Sequence, residues 1–589
     1  GVNGGSGARS SRCAGIVAPN QQPVWLPDRM PAADQGEAWS HQVDFVVVGS
    51  GCGGLTAALT ANANGLDTLV IEKAGVYGGS TALSGGNIWI PNNPALKREG
   101  VADSRDDVRR YLETVVGDRA PAANIDAFID NGPRTMEFLE HTSPHLRFQW
   151  CTGYSDYHPE KPGGRARGRT IEPLPFDLKK LGDDEQWLRP AALATPGGLF
   201  VTSKEFARLN MVMRTWSGRR AAMQTVGRAV KSIVLRRHMD TLGRALIGRL
   251  RLAAKDAGIP LWLNTPMQSL ITDESGAVLG VRAQRAGSVV RIRACRGVLL
   301  ATGGFEHNSE MRKRFLRDGG KDNYSAGSPD NTGDGIAAGQ VVGGAIDLMD
   351  DAWWMPAFKR PDGVMSVLVS ERSIPRSIIV NQAGRRFVNE AAPYVTFVHQ
   401  QLAGGHDPIW FVFDRRAKNR YQFGGVMPGQ NFPGDWFTSG LIHRAGTLDA
   451  LSAAIGVPAS SLRETVNRFN GFARDGKDSD FGRGDSAYDN YYGDPTLPHP
   501  TMDVIDSAPY YAARIHAGDL GTKGGLVYNA NGQVLRVDGT VIAGLYVTGN
   551  TSAAVMGNDY AGAGATIGPA MVFGFIGARH AAESDWYAE

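Results

Sequence analysis

The chain has 589 residues, 42% hydrophobic and 21% charged, with a formal net charge of +3. That length predicts two or three domains, and the near balance of charge argues against a nucleic-acid partner. Four cysteines without CxxC spacing point to neither a zinc site nor a disulfide framework, and no apolar run is long enough to span a bilayer, so a cytoplasmic protein with reduced thiols is expected.

Residues 1–40 are rich in Gly, Ser, Arg, Pro and Gln, lack periodicity and read as a flexible tail. A short apolar strand follows at Val43 to Val48, then the turn Gly49-Ser-Gly51-Cys-Gly53-Gly54, an Ala/Leu-rich helix, and a second strand at Thr68 to Ile71 ending in Glu72. This order, with an acid about 20 residues past the glycines, is the dinucleotide-binding fingerprint. Gly49 permits the tight turn, Gly51 lets the backbone approach a pyrophosphate, and Gly54 lets helix and strand pack closely. The helix N-terminus favours the phosphates, and Glu72 can accept from ribose hydroxyls.

Directly after the acid comes "YGGSTALSGGNIW" (77–89), a second loop rich in backbone and hydroxyl donors. Next, within an expected helical segment at about 204–257, residues 214–251 carry nine arginines and Lys231 against one acid, Asp240. Val226, Val230, Ile233 and Val234 recur at helical spacing, as do Leu242, Leu246, Ile247 and Leu250. The segment reads as one or two basic amphipathic helices. Such a helix either lies on an anionic membrane surface or packs on the nucleotide domain with a solvated basic face.

Further strand-ending glycine turns follow at "GVLLATGGFEHN" (297–308), "NTGDGIAAG" (331–339) and "GLYVTGNTSAAVMG" (544–557). The chain therefore leaves a nucleotide fold and returns to it. Several such turns around one ligand suit FAD better than NAD.

With these motifs in view, the sequence resembles the fumarate reductase/succinate dehydrogenase flavoprotein superfamily. The resemblance implies an α/β fold: a Rossmann-like FAD-binding domain built from residues 41–352 and 526–589, with an α+β catalytic domain, 353–525, inserted between. It also implies FAD contacts from Gly49, Gly51, Gly53, Gly54, Glu72 and Lys73, and from Gly79, Ser80, Thr81, Ser84, Gly85 and Gly86. Thr302, Gly303, Gly304, Asp334, Gly549, Asn550, Thr566 and Ile567 complete the expected set. The dicarboxylate reductases of that superfamily place an arginine five residues after the asparagine of "RFVNE"; here that position is Tyr394. Their histidine pair is also missing from Gly521-Thr-Lys-Gly-Gly525, so the cations a dianion needs are absent from these motifs.

One family matches more closely. "GGSTALSGGNIWIPNN", "GYSDYHPEKPGG", "DAWWMP", "RFVNEAAPY", "FNGFARDGKDSDFGRG", "YDNYYGDPT", "GDLGTKGGL" and "AGAGATIGPAMVFG" resemble, in order, the text of the 3-ketosteroid Δ1-dehydrogenases. The resemblance implies that Tyr560 and the Gly564 backbone N–H hold the 3-keto oxygen. Tyr394 would take a proton from carbon 2, and Tyr157, or Tyr154 in the same motif, would support it. It implies a 3-ketosteroid substrate and an external electron acceptor, quinone-like or otherwise, and no metal. The family's "GHTYPGPGGTIGPAM" is "GNDYAGAGATIGPAM" here, and loss of the prolines predicts a looser loop. Trp353 and Trp354 read either as core or as walls of a steroid slot, and His158 and His307 as structural. Two other readings stay open: a flavin reductase of another enone or unsaturated acid, and an electron-transfer subunit without substrate chemistry.

Overall fold

The structure, a computed structural model, describes residues 32–33, 38–191, 201–317 and 323–584. Most of the tail expected at 1–40 lies outside these residues. Its Ala32–Ala33 is nevertheless a strand, paired in parallel with Ile271 and Thr272, which corrects the expectation of a tail free of the fold there.

Among the described residues the first sheet has nine strands. Leu261–Trp262, Thr68–Ile71, His41–Val48 and Ser288–Leu300 run parallel in that order, and Val541–Val547 joins in parallel beside Leu300. Phe45 to Val48, Leu69 to Ile71 and Val298 to Leu300 are buried on both faces, which is why they read as unbroken apolar runs. The C-terminal helix Ile567–Glu583 lies against the first helix, Cys52–Ala63. Glycines set that contact: a Cβ on Gly574 would sit 2.4 Å from the Gly53 carbonyl oxygen. The chain's two ends are thereby closed into one nucleotide fold.

The second sheet is antiparallel and mostly formed by Ala352–Lys359, Ser377–Val380, Ile409–Asp414 and Tyr510–Thr522. Its residues alternate between two cores, as the period of a strand requires. Ile378, Val380 and Val412 face Leu451, Leu462 and Phe469 of two covering helices. Ile379, Phe411 and Phe413 face the other way, into the core shared with the nucleotide domain and with Tyr394.

The basic segment forms two long helices, Trp216–Val234 and Leu242–Asp256. The second packs its apolar stripe inward: Leu246, Ile247 and Leu250 are fully buried. The first does the reverse. Gly218, Ala221, Thr225, Ala229 and Ser232 face the protein, while Trp216, Met223, Val226, Val230, Ile233 and Val234 face solvent, each more than half exposed.

Candidate active site

The glycine turns expected to hold a cofactor gather at the C-terminal ends of the parallel strands, where open α/β sheets bind ligands. Gly49, at φ +110°, packs so tightly on the Ala301 carbonyl that a Cβ would approach it to 2.1 Å. A Cβ on Gly54 would meet the Gly49 carbonyl at the same distance. A Cβ on Gly51, by contrast, would meet only Thr81 Oγ1, at 3.6 Å, so its backbone borders open space as a phosphate-facing glycine should. Glu72 accepts from the Ser50 hydroxyl at 2.5 Å and the Ala74 N–H at 2.9 Å. Lys73 pairs with Asp334 at 2.8 Å and thereby links the second strand to the Asn331–Gly339 motif.

The second loop is partly helical, Gly79–Leu83. Ser80 accepts from Ser328 N–H and Asn331 Nδ2, and Thr81 accepts from Cys52 N–H at the start of the first helix. Ser84 accepts from Gly86 N–H, Gly86 abuts Leu242 at the start of the packed helix, and Gly85 lies beside Asn87. Across the sheet, Thr551 Oγ1 accepts from Thr302 N–H and donates to the Gly303 carbonyl, and Gly304 lies beside Thr522. Gly549 and Asn550 follow the strand Val541–Val547, and Thr566 and Ile567 begin the last helix. These donors and close-approach glycines fit a flavin dinucleotide lying along the strand ends.

Beside this cradle four phenols from four separate segments of the chain meet. Tyr157 lies in the loop after strand Phe148–Trp150, Tyr394 is the first residue of helix Tyr394–Ala403, Tyr488 lies in helix Ala487–Tyr491, and Tyr560 lies in the C-terminal glycine loop. The Tyr157 ring centroid is 5.2 Å from Tyr394, 5.0 Å from Tyr560 and 4.7 Å from Tyr488. Tyr394 and Tyr560 are 6.3 Å apart. Tyr154 joins from the far side, with its hydroxyl 3.5 Å from that of Tyr394. Burial, followed by the neighbouring phenols, pushes Tyr154, Tyr157 and Tyr488 well above the usual range, so they stay protonated as donors.

Tyr560 is also raised by burial, against the lowering effect of the Thr566 hydroxyl and the Gly564 backbone N–H. The Gly564 N–H thus lies beside the Tyr560 hydroxyl. Gly564, at φ +93°, packs on the Asn87 backbone, where a Cβ would come within 2.3 Å of its carbonyl oxygen. The loop is not loose, despite its missing prolines. Tyr111 Oη and Tyr157 N–H donate to the Ala561 carbonyl, Thr170 Oγ1 donates to that of Ala563, and His158 Nε2 lies 2.8 Å from Asp559 Oδ1. Hydrogen bonds from distant segments supply the stiffness, and His158 does structural work. Trp353 is buried with its ring 5.0 Å from Tyr560, and Trp354 is fully buried in the core.

Two features have no local sequence signal. Arg372 is almost fully buried, donates to the Glu390 and Ala392 carbonyls, and places its guanidinium 5.1 Å from the Tyr394 ring centroid. Tyr488 packs on both Tyr157 and Tyr394. A buried arginine in "SERSIPR" and a tyrosine among several in "YDNYY" look ordinary until the fold assembles them.

The chain matches the family model described as "FAD binding domain" over residues 44–567, so it belongs to that family and FAD is its cofactor. It is 46% identical to 3-oxosteroid 1-dehydrogenase of Mycolicibacterium smegmatis, over 91% of this chain and 97% of that protein. It is 47% identical to the Mycobacterium tuberculosis protein of the same name, over 92% of this chain and 99% of that one. The crystal structure of 3-ketosteroid delta1-dehydrogenase from Sterolibacterium denitrificans in complex with 1,4-androstadiene-3,17-dione superposes with a TM-score of 0.87 at 37% identity, covering 92% of this chain and all of that one. Within the FAD-binding class, this chain belongs to the 3-oxosteroid 1-dehydrogenase family.

Proposed function

We propose that this protein is an FAD-dependent dehydrogenase that introduces a 1,2-double bond into ring A of a 3-ketosteroid. One observation carries the reading: Tyr394 and Tyr560, remote in sequence, converge around Tyr157 beside the flavin cradle. The unit that presents Tyr394 is the segment 353–525, and the FAD unit comprises 41–352 and 526–589.

The Tyr560 hydroxyl and the Gly564 N–H donate to the ketone at carbon 3 and stabilise negative charge as it develops there. This makes the proton at carbon 2 easier to remove. Tyr394 removes it. A phenol is a poor base at neutral pH, since its ordinary pKa is about 10. Tyr394 sits at a helix N-terminus, beside the Arg372 cation and within reach of the protonated phenols of Tyr157 and Tyr154. When bound in the cradle of glycine turns, FAD would supply the hydride acceptor for carbon 1, and turnover would then need an external electron acceptor. Trp353 forms one apolar wall of the steroid slot.

The test is anaerobic mixing of the holoenzyme with androst-4-ene-3,17-dione. Flavin bleaching with formation of the 1,4-diene is the expected result, and no bleaching overturns the reading. Tyr394→Phe should lower turnover by about 10²- to 10⁴-fold while the yellow cofactor stays bound; normal turnover in this variant overturns the base assignment.

A second partner is a lipid surface. Among the described residues no helix is long and apolar enough to cross a membrane. The outward face of Trp216–Val234 instead presents a stripe of Met223, Val226, Val230 and Ile233, with Arg219, Arg220 and Lys231 exposed on or beside it. Large apolar residues facing out with cations around them suit an anionic bilayer at the depth of its headgroups. We therefore place the protein in the cytoplasm, docked peripherally, where water-insoluble steroids collect.

A further inference from the structure

Beneath the two central phenols lies a buried charged pair that the chemistry above does not use. We propose that Lys523 and Asp351 are positioning residues that set the separation between the helix starting at Tyr394 and the loop carrying Tyr560. This inference rests on the site reading just given.

Both side chains are fully buried, with Lys523 Nζ 4.0 Å from Asp351 Oδ2. Lys523 donates to the Gly557 carbonyl at 3.1 Å and to the Asp559 carbonyl at 2.7 Å, so it grips the loop immediately before Tyr560. Its ammonium lies 4.6 Å from the centroid of Trp353, the ring that packs on Tyr560. Asp351 holds the same loop from the other side, accepting from Asn558 Nδ2 at 2.8 Å. Its second oxygen accepts from Trp354 Nε1 at 2.6 Å and lies 2.8 Å from His399 Nε2. His399 stands on the helix that Tyr394 begins. The pair thus connects the two segments whose phenols must face one substrate from opposite parts of the chain.

A buried ion pair is a costly way to gain stability, since desolvation offsets most of its attraction. The cost shows in Lys523, whose ammonium is pulled down to about 8 chiefly by burial. What the pair supplies is direction. Two loop carbonyls turned into the interior need donors, and an apolar residue would leave both unmet. The loop would then turn toward other partners and carry Tyr560 and Gly564 with it.

The test uses holoenzyme carrying Lys523→Met, Tyr560→Phe, or both. Turnover is measured per bound flavin, and the Kd of 1,4-androstadiene-3,17-dione is read from the flavin absorbance. Lys523→Met should retain FAD and lose about 10- to 100-fold in turnover per flavin, the scale of an ångström-sized misplacement. It should also raise the Kd, yet add less than about twofold when Tyr560 is already Phe, because both changes act through one contact. Turnover and Kd within about twofold of the parent, or Kd factors that multiply, overturn the inference. If Lys523→Met gives no folded holoenzyme, His399→Gln decides. Reduced turnover at unchanged Kd, absent in a Tyr394→Phe background, supports the inference, and unchanged turnover overturns it. A Tyr560→Phe variant with normal Kd and turnover overturns the site reading itself, whatever Lys523 does.

Discussion

Helices Trp216–Val234 and Leu242–Asp256 are neighbours in sequence, similarly basic and similarly amphipathic, yet they treat water in opposite ways. The second buries its apolar stripe against the glycine loops: a Cβ on Gly78 would touch Ile247, and Gly86 sits on the Leu242–Gly243 backbone. Even Arg249 is buried there, its guanidinium donating to the Leu174 and Pro175 carbonyls above the Phe176 ring. The first helix turns its small residues to the protein and its large ones outward. Amphipathicity thus states that a helix has a face to hide, and says nothing of what hides it. For the second helix the cover is the flavin domain. For the first, the proposed cover is lipid.

Substitutions on the two helices should have opposite consequences. The largest effect is expected from Leu250→Asp, which buries an unpaired charge. It should cost about 3–5 kcal/mol and release FAD, seen as a lower melting temperature and a colourless protein. Val230→Asp combined with Ile233→Asp should leave melting and detergent-assayed turnover unchanged while weakening sedimentation with anionic vesicles by 10-fold or more, given about 1.5–3 kcal/mol per buried apolar side chain. A fall in melting temperature as large as that of Leu250→Asp would mean that this face is covered by protein instead. Smaller again, Arg220→Gln with Lys231→Gln should cost about 1 kcal/mol each on anionic vesicles and nothing on neutral ones. The subtlest test is one substitution made twice. At Gly227 a Cβ meets nothing within 4 Å, so Gly227→Ala should raise stability by about 0.5–1 kcal/mol. At Gly248 it meets Phe176 at 2.9 Å, so Gly248→Ala should lower the melting temperature.

The same division runs through the site. The Gly49–Gly54 turn was legible because strand, turn and helix are adjacent in sequence and their chemistry is backbone chemistry. Tyr560 has a local mark, a lone phenol in a run of glycines and alanines, whereas Tyr394 and Tyr157 stand out only through family text, because a phenol among 16 in the chain carries no sign of its role. Arg372, Tyr488 and the Lys523–Asp351 pair were missed for a further reason. Each acts through contacts with segments tens to hundreds of residues away, and no periodicity encodes such a contact. The expectation of a loose loop at 557–564 erred in the same way, since its missing prolines are visible in the sequence while the hydrogen bonds that replace them come from Tyr111, Tyr157 and Thr170.

What local physics makes legible in the sequence is the parallel strands with unbroken apolar runs, the glycine turns at their ends, a basic amphipathic segment of one or two helices, and a nucleotide fold that is left and re-entered. The tertiary structure alone settles which apolar faces are covered, which distant segments bond a proline-poor loop, and how phenols from four segments of the chain come within about a ring's width of one another. The reason is physical. Local propensities act over a few residues, whereas burial, charge pairing and the aim of a hydroxyl depend on whatever the rest of the chain brings alongside.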